Sequence, residues 1–461
     1  MTVSTDFDAI VLGAGAPGEH CAAALAAGGV HVAVVERELL GGECSYWGCI
    51  PSKTLLRPGE AIAAARTAPG AREAITGSLD VASALAWRDF QVSNYDDSGQ
   101  VAWARSAGIE VVRGRGQLAG PHTVTVDGSS YTAEHIVIAT GSDAAIPPVP
   151  GLRELPGLWT DREVTSLKEV PRRLLVLGGG AIGVEMSQAL TRMGAAVTVV
   201  ERADHLLSRE PRALGEGVAE AFRAEGIDLR LGVATTAARL DRGEYVLELA
   251  DGSEVRGDRL LVATGRRLRV EGIGLETVGI TANPRGIAVD ARMSAGPGLW
   301  AIGDVTGLWL FTHAGEYQGR IAASNILGRP REAHYEAVPR VTFCDPQAAA
   351  VGASEGPFVA TIALAGVPRT STYTRAYDTQ PGFLTLVSDG ERLTGAYALG
   401  PDAGEWLQQA TMAIRSQVPL AVLLDVIQPF PTFSEAIFQA VRDLDAQVTR
   451  AGSAPVGVSA G

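Results

Sequence analysis

Asp8-Ala9-Ile10-Val11-Leu12-Gly13-Ala14-Gly15-Ala16-Pro17-Gly18 decides how this chain folds. Its first five residues read as a buried parallel strand, and a glycine turn follows at once. The alanine-rich run Cys21 to Ala27 reads as a helix, His31 to Val35 as a second strand, and Glu36 ends it. Strand, glycine turn, helix, strand and acid together make a dinucleotide-binding unit. Gly13, Gly15 and Gly18 let backbone approach a pyrophosphate at the helix N-terminus, and Glu36 lies about twenty residues on, where a carboxylate accepts a ribose hydroxyl. The whole pattern then recurs. Leu174 to Leu177 leads into Gly178, Gly180 and Gly183, a helix from Val184, a strand over Ala196 to Val200, and Glu201. Each unit also has a short apolar strand ending in a Thr-Gly turn, at Thr140-Gly141 and at Thr264-Gly265. A repeated βαβ unit is stronger evidence than either copy alone.

Between the two copies lies Gly41-Gly42-Glu43-Cys44-Ser45-Tyr46-Trp47-Gly48-Cys49-Ile50-Pro51-Ser52-Lys53, which holds two of the four cysteines. A structural zinc site needs about four ligands, and no second such pair exists. On a regular helix, residues five apart sit roughly 8 Å from each other, beyond the ~7 Å Cα limit of a disulfide. A bond between Cys44 and Cys49 therefore requires a turn that enters a helix near Pro51, where proline is tolerated and Gly48 relaxes the approach. A helix N-terminus lowers a thiol's pKa. Cys21 and Cys344 read as buried packing residues. Of 39 basic residues only Lys53 and Lys168 are lysine, so lysine at position 53 points to a compact charge that arginine cannot replace.

Composition bounds the rest. A chain of 461 residues supports two or three domains, and a net charge of −13 argues against nucleic-acid or anionic-membrane partners. No apolar run approaches about 18 residues, so no membrane span is expected. No basic n-region precedes Asp6 and Asp8, and the sparing use of cysteine suits a cytoplasmic location.

The Cys44-to-Lys53 pattern resembles the redox-active disulfide segment of the flavin-dependent pyridine nucleotide-disulfide oxidoreductases, which include lipoamide dehydrogenase, glutathione reductase and mercuric reductase. The resemblance spans essentially the whole chain. It implies an α/β fold of two Rossmann-like domains, the NAD domain inserted in the FAD domain, and a C-terminal α+β dimerisation domain. The corresponding boundaries are 1–155 and 286–335 for FAD, 156–285 for NAD(P), 336–450 for the interface domain and 451–461 for a disordered tail. It further implies a redox-active Cys44–Cys49 disulfide, FAD on the first unit and NAD(P)H on the second. Cys49 is then the thiol against the flavin, Cys44 faces the acceptor, and Glu185 pairs with Lys53. Trp300 to Val305 resembles the second flavin motif, with Gly303 and Asp304 at the ribityl chain, and His313 matches a position near the flavin. Tyr46 and Trp47 either stack on an aromatic acceptor or pack. A homodimer is implied as well, with each C-terminal segment completing its partner's site.

The resemblance breaks at one place. Family dithiol enzymes carry His-Pro-Thr-x-x-Glu, whose histidine is the acid–base partner of the attacking thiol. Here the segment reads Gln428-Pro429-Phe430-Pro431-Thr432-Phe433-Ser434-Glu435, and no histidine follows His334. Phe430 stands in the histidine's place, and Glu435, the orienting acid, has nothing to orient. Positioned acid–base catalysis is worth roughly 10²–10⁴-fold, so an ordinary disulfide becomes the weaker substrate. The vicinal C-terminal cysteines of mercuric reductase are absent too. The reading is an FAD enzyme passing electrons from NAD(P)H to a small-molecule, quinone-like acceptor, with reduction of an unusual disulfide as the alternative. Glu201 would repel a 2′-phosphate, which favours NADH.

Overall fold

The computed structural model of the protein describes residues 6–281, 283–378 and 381–452. Its first sheet is centred on the strand Phe7–Leu12, which pairs in parallel with Val32–Glu36 on one side and Ser129–Ile138 on the other. Ile109–Arg113 extends it beyond Val32–Glu36. The helices Ala16–Ala27 and Thr312–Ile326 cover one face of this sheet, and the antiparallel strands Gly116–Gly120 and Thr123–Val126 cover the other, so its strands must be apolar throughout. Ile10, Val11, Val34 and Val137 are accordingly buried. Helix α1, Ala16–Ala27, starts five residues earlier than the alanine run suggested. Pro17 sits in its first turn, where the missing N–H costs nothing.

The second glycine unit builds a separate parallel sheet in the order Asp228–Leu231, Ala196–Glu201, Arg173–Leu177, Arg259–Val262. The chain then returns to the first sheet. Leu299–Ala301 pairs in parallel with Ser129–Ile138, Trp300 opposite Val137. The second unit is therefore an insertion within the first. The crossing segments themselves pair, Ser142–Ala144 running antiparallel to Arg266–Leu268.

From Arg340 the chain forms a five-stranded antiparallel sheet. The helix Glu435–Gly452 packs on it through buried Ala440, Val441 and Leu444. Two details differ from the sequence reading. The Val341-to-Pro346 stretch is strand only as far as Thr342, and Cys344 is buried in the bend that follows, its thiol donating to the Pro346 carbonyl at 3.2 Å. Gly404 to Arg415 divides into two helices, Ala403–Trp406 and Gln408–Arg415. The final helix runs to Gly452, and residues 453–461 of the expected tail lie outside the described residues. Among the described residues no helix is long and apolar enough to cross a membrane.

The glycine turns set the geometry of both units in the same way. Gly13 and Gly178 have φ of +102° and +113°. A Cβ on Gly18 would lie 2.0 Å from the Gly13 carbonyl oxygen, and one on Gly183 equally close to that of Gly178. Each third glycine thus seats its helix against its strand. Gly18→Ala and Gly183→Ala are each expected to cost about 2 kcal/mol or more. Chemical unfolding followed by circular dichroism checks this; a native-like midpoint in either variant would refute it.

Candidate active site

Cys44 and Cys49 belong to two different helices. Helix α2 is the single turn Gly42–Tyr46, and helix α3, Cys49–Thr67, begins at the second cysteine. Trp47 and Gly48 between them have non-helical backbone, so the pair escapes the spacing of a regular helix. Both thiols are free and half-buried. Cys49 Sγ lies 3.4 Å from Thr312 Oγ1, the first residue of the helix Thr312–Ile326.

The two thiols titrate as one unit. The Cys44 S–H donates to the Cys49 sulfur, which pulls Cys49 down to about 6 against the opposing effect of burial. The Thr312 hydroxyl and the Lys53 ammonium assist, and Glu185 opposes. Cys44, as the proton holder and itself buried, is pushed well above the usual thiol range. The arrangement therefore favours the thiolate on Cys49 and the remaining proton on Cys44.

Lys53 lies one turn along α3 from Cys49. Its Nζ donates to Glu185 Oε2 at 2.8 Å and sits 4.7 Å from the centre of the Phe343 ring. Glu185 is only 6% exposed, and its Oε1 accepts the Phe343 N–H at 2.9 Å. Both charged ends of the pair are thus hydrogen-bonded, as a buried ion pair requires.

A cavity of about 1590 Å³ gathers these residues. It runs from Gly13, Gly15 and Glu36 past Thr140 and Gly141 to Cys44, Cys49, Lys53, Glu185, Gly303, Asp304, Thr312 and His313. Asp304 Oδ2 accepts the Ser142 hydroxyl at 2.5 Å, and the Thr140 hydroxyl donates to the Arg269 carbonyl at 2.8 Å. Gly303 has φ +73°, and its N–H donates to Gln318. Gly178, Gly180, Gly183, Glu201 and Gly265 belong to the second unit and do not line this cavity. Glu435 is likewise outside it; its Oε2 is buried with no hydrogen-bond partner among the described residues. Phe430 is 73% exposed. His313 is exposed, stacks on Phe311 and shares a hydrogen bond with the Pro339 carbonyl. Tyr46 is buried and packs, whereas Trp47 lines the cavity.

The residues present fit two dinucleotides. Gly15 and Gly180 have ordinary extended backbone, and a Cβ on either would meet no protein atom within 4 Å. Neither strain nor packing demands glycine there; the open space in front of the helix N-terminus does. Glu36 and Glu201 occupy equivalent places. Glu36 accepts from the Ala14 and Glu38 N–H groups, both at 2.8 Å, and Glu201 from those of Gly179 and Ala203 at 2.6 and 2.7 Å. Each carboxylate is thereby fixed beside its turn.

Sequence reading missed Thr312, Ser142, Arg162 and Arg266. The Arg266 guanidinium bonds Ser142 and Asp161, and the Arg162 guanidinium bonds Glu43. Their partners lie more than a hundred residues away along the chain, and nothing local marks them.

One dinucleotide unit inserted within another, with a cysteine pair at one end of a cavity, is the arrangement of a two-nucleotide flavoprotein oxidoreductase. Residues 7–324 match the pyridine nucleotide-disulphide oxidoreductase family, and residues 338–441 match that family's dimerisation domain. The chain belongs to the pyridine nucleotide-disulphide oxidoreductases, flavin-dependent enzymes that use FAD and NAD(P)H. It is 34% identical over 447 residues to a dihydrolipoyl dehydrogenase of Chlamydia muridarum, covering 93% of this chain and 95% of that one. It is 32% identical to a mercuric reductase of Acidithiobacillus ferrooxidans, covering 93% of this chain and 80% of the relative. Among solved structures, the HOCl-induced flavoprotein disulfide reductase RclA of Escherichia coli superposes with a TM-score of 0.82 at 27% identity, over 95% of this chain and 99% of that one.

Lys53→Met is expected to raise the Cys49 titration midpoint by about one pH unit, because a favourable positive charge is lost. Adding Glu185→Gln should bring it part of the way back, since that carboxylate acts in the opposite sense. The pH dependence of alkylation at Cys49 in the reduced enzyme, read by mass spectrometry, measures both. Coincident profiles for all three proteins would rule out this electrostatic coupling.

Proposed function

We propose that this enzyme passes electrons from NADH, through FAD and the Cys44–Cys49 pair, to a quinone-like acceptor. The observation that carries the reading is the proton inventory. Among the described residues His313 is the one histidine lining the cavity, it is tied to the Pro339 carbonyl, and the sequence holds no histidine after His334. An acceptor that takes its protons from solvent asks nothing of the residue at position 430, where we place Phe430 in the role-bearing position of the family's histidine.

FAD, held by the residues assigned to it, would supply the two-electron chemistry linking the nicotinamide coenzyme to the cysteine pair. The chain's own residues then hold the charge and the proton of the reduced pair. Cys49, with Lys53 and Thr312 beside it, is suited to carry the thiolate charge. Cys44 keeps the proton and is assigned the outward, exchanging role. Gly13, Gly15, Gly18, Glu36, Thr140, Gly141, Gly303 and Asp304 are assigned to FAD. Gly178, Gly180, Gly183, Glu201 and Gly265 are assigned to the nicotinamide coenzyme. NADH is favoured because the fixed Glu201 carboxylate leaves no welcome for a 2′-phosphate. The dimerisation domain supports a homodimer.

A second reading rests on a separate observation. The buried, unpartnered Glu435 Oε2 stands in the segment where the family keeps its acid–base pair. A carboxyl group there is suited to hand a proton to a leaving thiolate, which would make the enzyme a reductase for a particular disulfide. The Escherichia coli neighbour is itself described as a disulfide reductase.

NADH-driven turnover with a quinone, with a panel of small disulfides and with Cu(II), the ion held in another structure of that neighbour, separates these readings. Quinone turnover is expected to exceed every disulfide by about a hundredfold or more, the scale of a missing proton donor. Faster turnover of one disulfide, lost in both Cys44→Ser and Glu435→Gln, would establish the second reading instead.

A further inference from the structure

Helix α2 is five residues long, bounded by Gly41 and Gly42 at positive φ on one side and by the Trp47–Gly48 break on the other. A single turn without a side-chain cap is not stable alone, so its position must come from outside. The short helix Asp161–Thr165, at the entrance to the second nucleotide unit, supplies it. Arg162 Nε and Nη2 donate to the two carboxylate oxygens of Glu43 at 2.9 and 2.7 Å. The same guanidinium lies 4.1 Å from the centre of the Trp47 ring and also bonds Glu38 at 2.9 Å. Next to it, the Thr165 hydroxyl shares its one proton between the Asp161 carbonyl at 2.7 Å and the Trp47 carbonyl at 3.0 Å.

Glu43 precedes Cys44 directly, and Trp47 follows it by three residues. One side chain from another part of the chain therefore grips both flanks of the outer cysteine. The gripping helix is in turn anchored. Its Asp161 takes the Arg266 guanidinium, and Arg266 reaches Ser142, whose hydroxyl bonds Asp304. Ser142 and Arg266 lie on the paired segments that cross between the two nucleotide units.

We propose that Arg162 is a positioning residue for the cysteine pair: by holding Glu43 and Trp47 it fixes Cys44 against Cys49 and so sets the effective concentration of one sulfur at the other. The proposal rests on the reading of Cys44 and Cys49 as a redox pair. A tethered thiol closes a disulfide more readily the better its position is fixed. Loosening α2 therefore makes the disulfide easier to open. Lysine cannot replace this arginine, because it offers neither the two-pronged contact to Glu43 nor a flat face for Trp47.

The test is redox equilibration of the FAD-loaded enzyme in glutathione buffers, with the state of Cys44 and Cys49 read by alkylation and mass spectrometry. Two glutathione thiols give two electrons and two protons in reducing the Cys44–Cys49 disulfide to the dithiol and become glutathione disulfide; at neutral pH the proton of Cys49 passes on to the buffer. In Arg162→Gln the half-reduced point is expected at a proportion of reduced glutathione lower by at least about threefold, the scale of a partly buried ion pair plus a cation–π contact. Glu43→Gln should shift it in the same direction, the double variant should add little to the larger single shift, and Arg162→Lys should recover only part of it. FAD content and the unfolding midpoint are measured alongside. Native titration in both Arg162→Gln and Glu43→Gln would overturn the inference, as would a shift that appears only with loss of FAD. If instead the unsubstituted pair never closes in any buffer, the redox-pair reading itself fails.

Discussion

The ion pair between Lys53 and Glu185 is the contact on which the arrangement of this molecule turns. Lys53 comes from the helix that starts at Cys49, and Glu185 from the helix that starts at the second glycine turn. Their 2.8 Å contact joins the cysteine segment to the inserted nucleotide unit. The Phe343 N–H on Glu185 Oε1 brings in the third part of the chain, at the edge of the antiparallel sheet. Removing water from such a pair is expensive, and the cost is met here because the buried partner has both oxygens occupied. The same pair leaves an ammonium near Cys49, so one contact both joins three segments and tilts the thiol equilibrium.

The consequence for the cysteines is an unequal division of labour between two identical groups. Position in the fold, not residue type, makes Cys49 the acid and Cys44 the proton holder. Cys49 opens a helix and faces Thr312 and Lys53; Cys44 sits in the preceding turn and gives its proton inward. A symmetric pair would carry no such preference. The asymmetry also explains why a break was needed at Trp47 and Gly48, since a continuous helix would have turned the two sulfurs apart.

The legibility of these features in the sequence depends on how local each constraint is. Gly13, Gly15 and Gly18 announce their role because the reasons for them, a positive φ, an open approach and a close helix contact, act within a few residues. The same holds for the second copy, so the repetition made two dinucleotide units readable; that one is inserted in the other came from the resemblance of Trp300 to Val305 to a second flavin motif. Lys53 was readable for a different reason, its rarity among arginines. The helix start at Ala16 is poorly marked in the sequence, because the alanine-rich run begins only at Cys21 and Pro17 is compatible with a turn as well as with a first helical turn. Arg162 and Ser142 were illegible. One arginine among so many has no distinguishing neighbourhood, and its meaning exists only once residues 43 and 162 meet. Thr312 likewise acquires its contact with Cys49 across 263 residues.

The tertiary contacts that sequence reading missed are mostly of one kind: guanidinium groups bridging carboxylates between the cysteine segment and the crossing strands. Arg162, Arg266 and Arg269 take Glu43, Asp161 and Asp143 in a small region beside the cavity. Each pair alone would contribute little at a surface. Together they close a path from Asp304 through Ser142, Arg266 and the helix Asp161–Thr165 to Glu43, next to Cys44. Arginine suits this use because a planar fork can satisfy two partners at fixed angles, where a lysine would swivel. At this site arginine holds geometry through Arg162, Arg266 and Arg269, and lysine supplies a compact charge near Cys49 through Lys53.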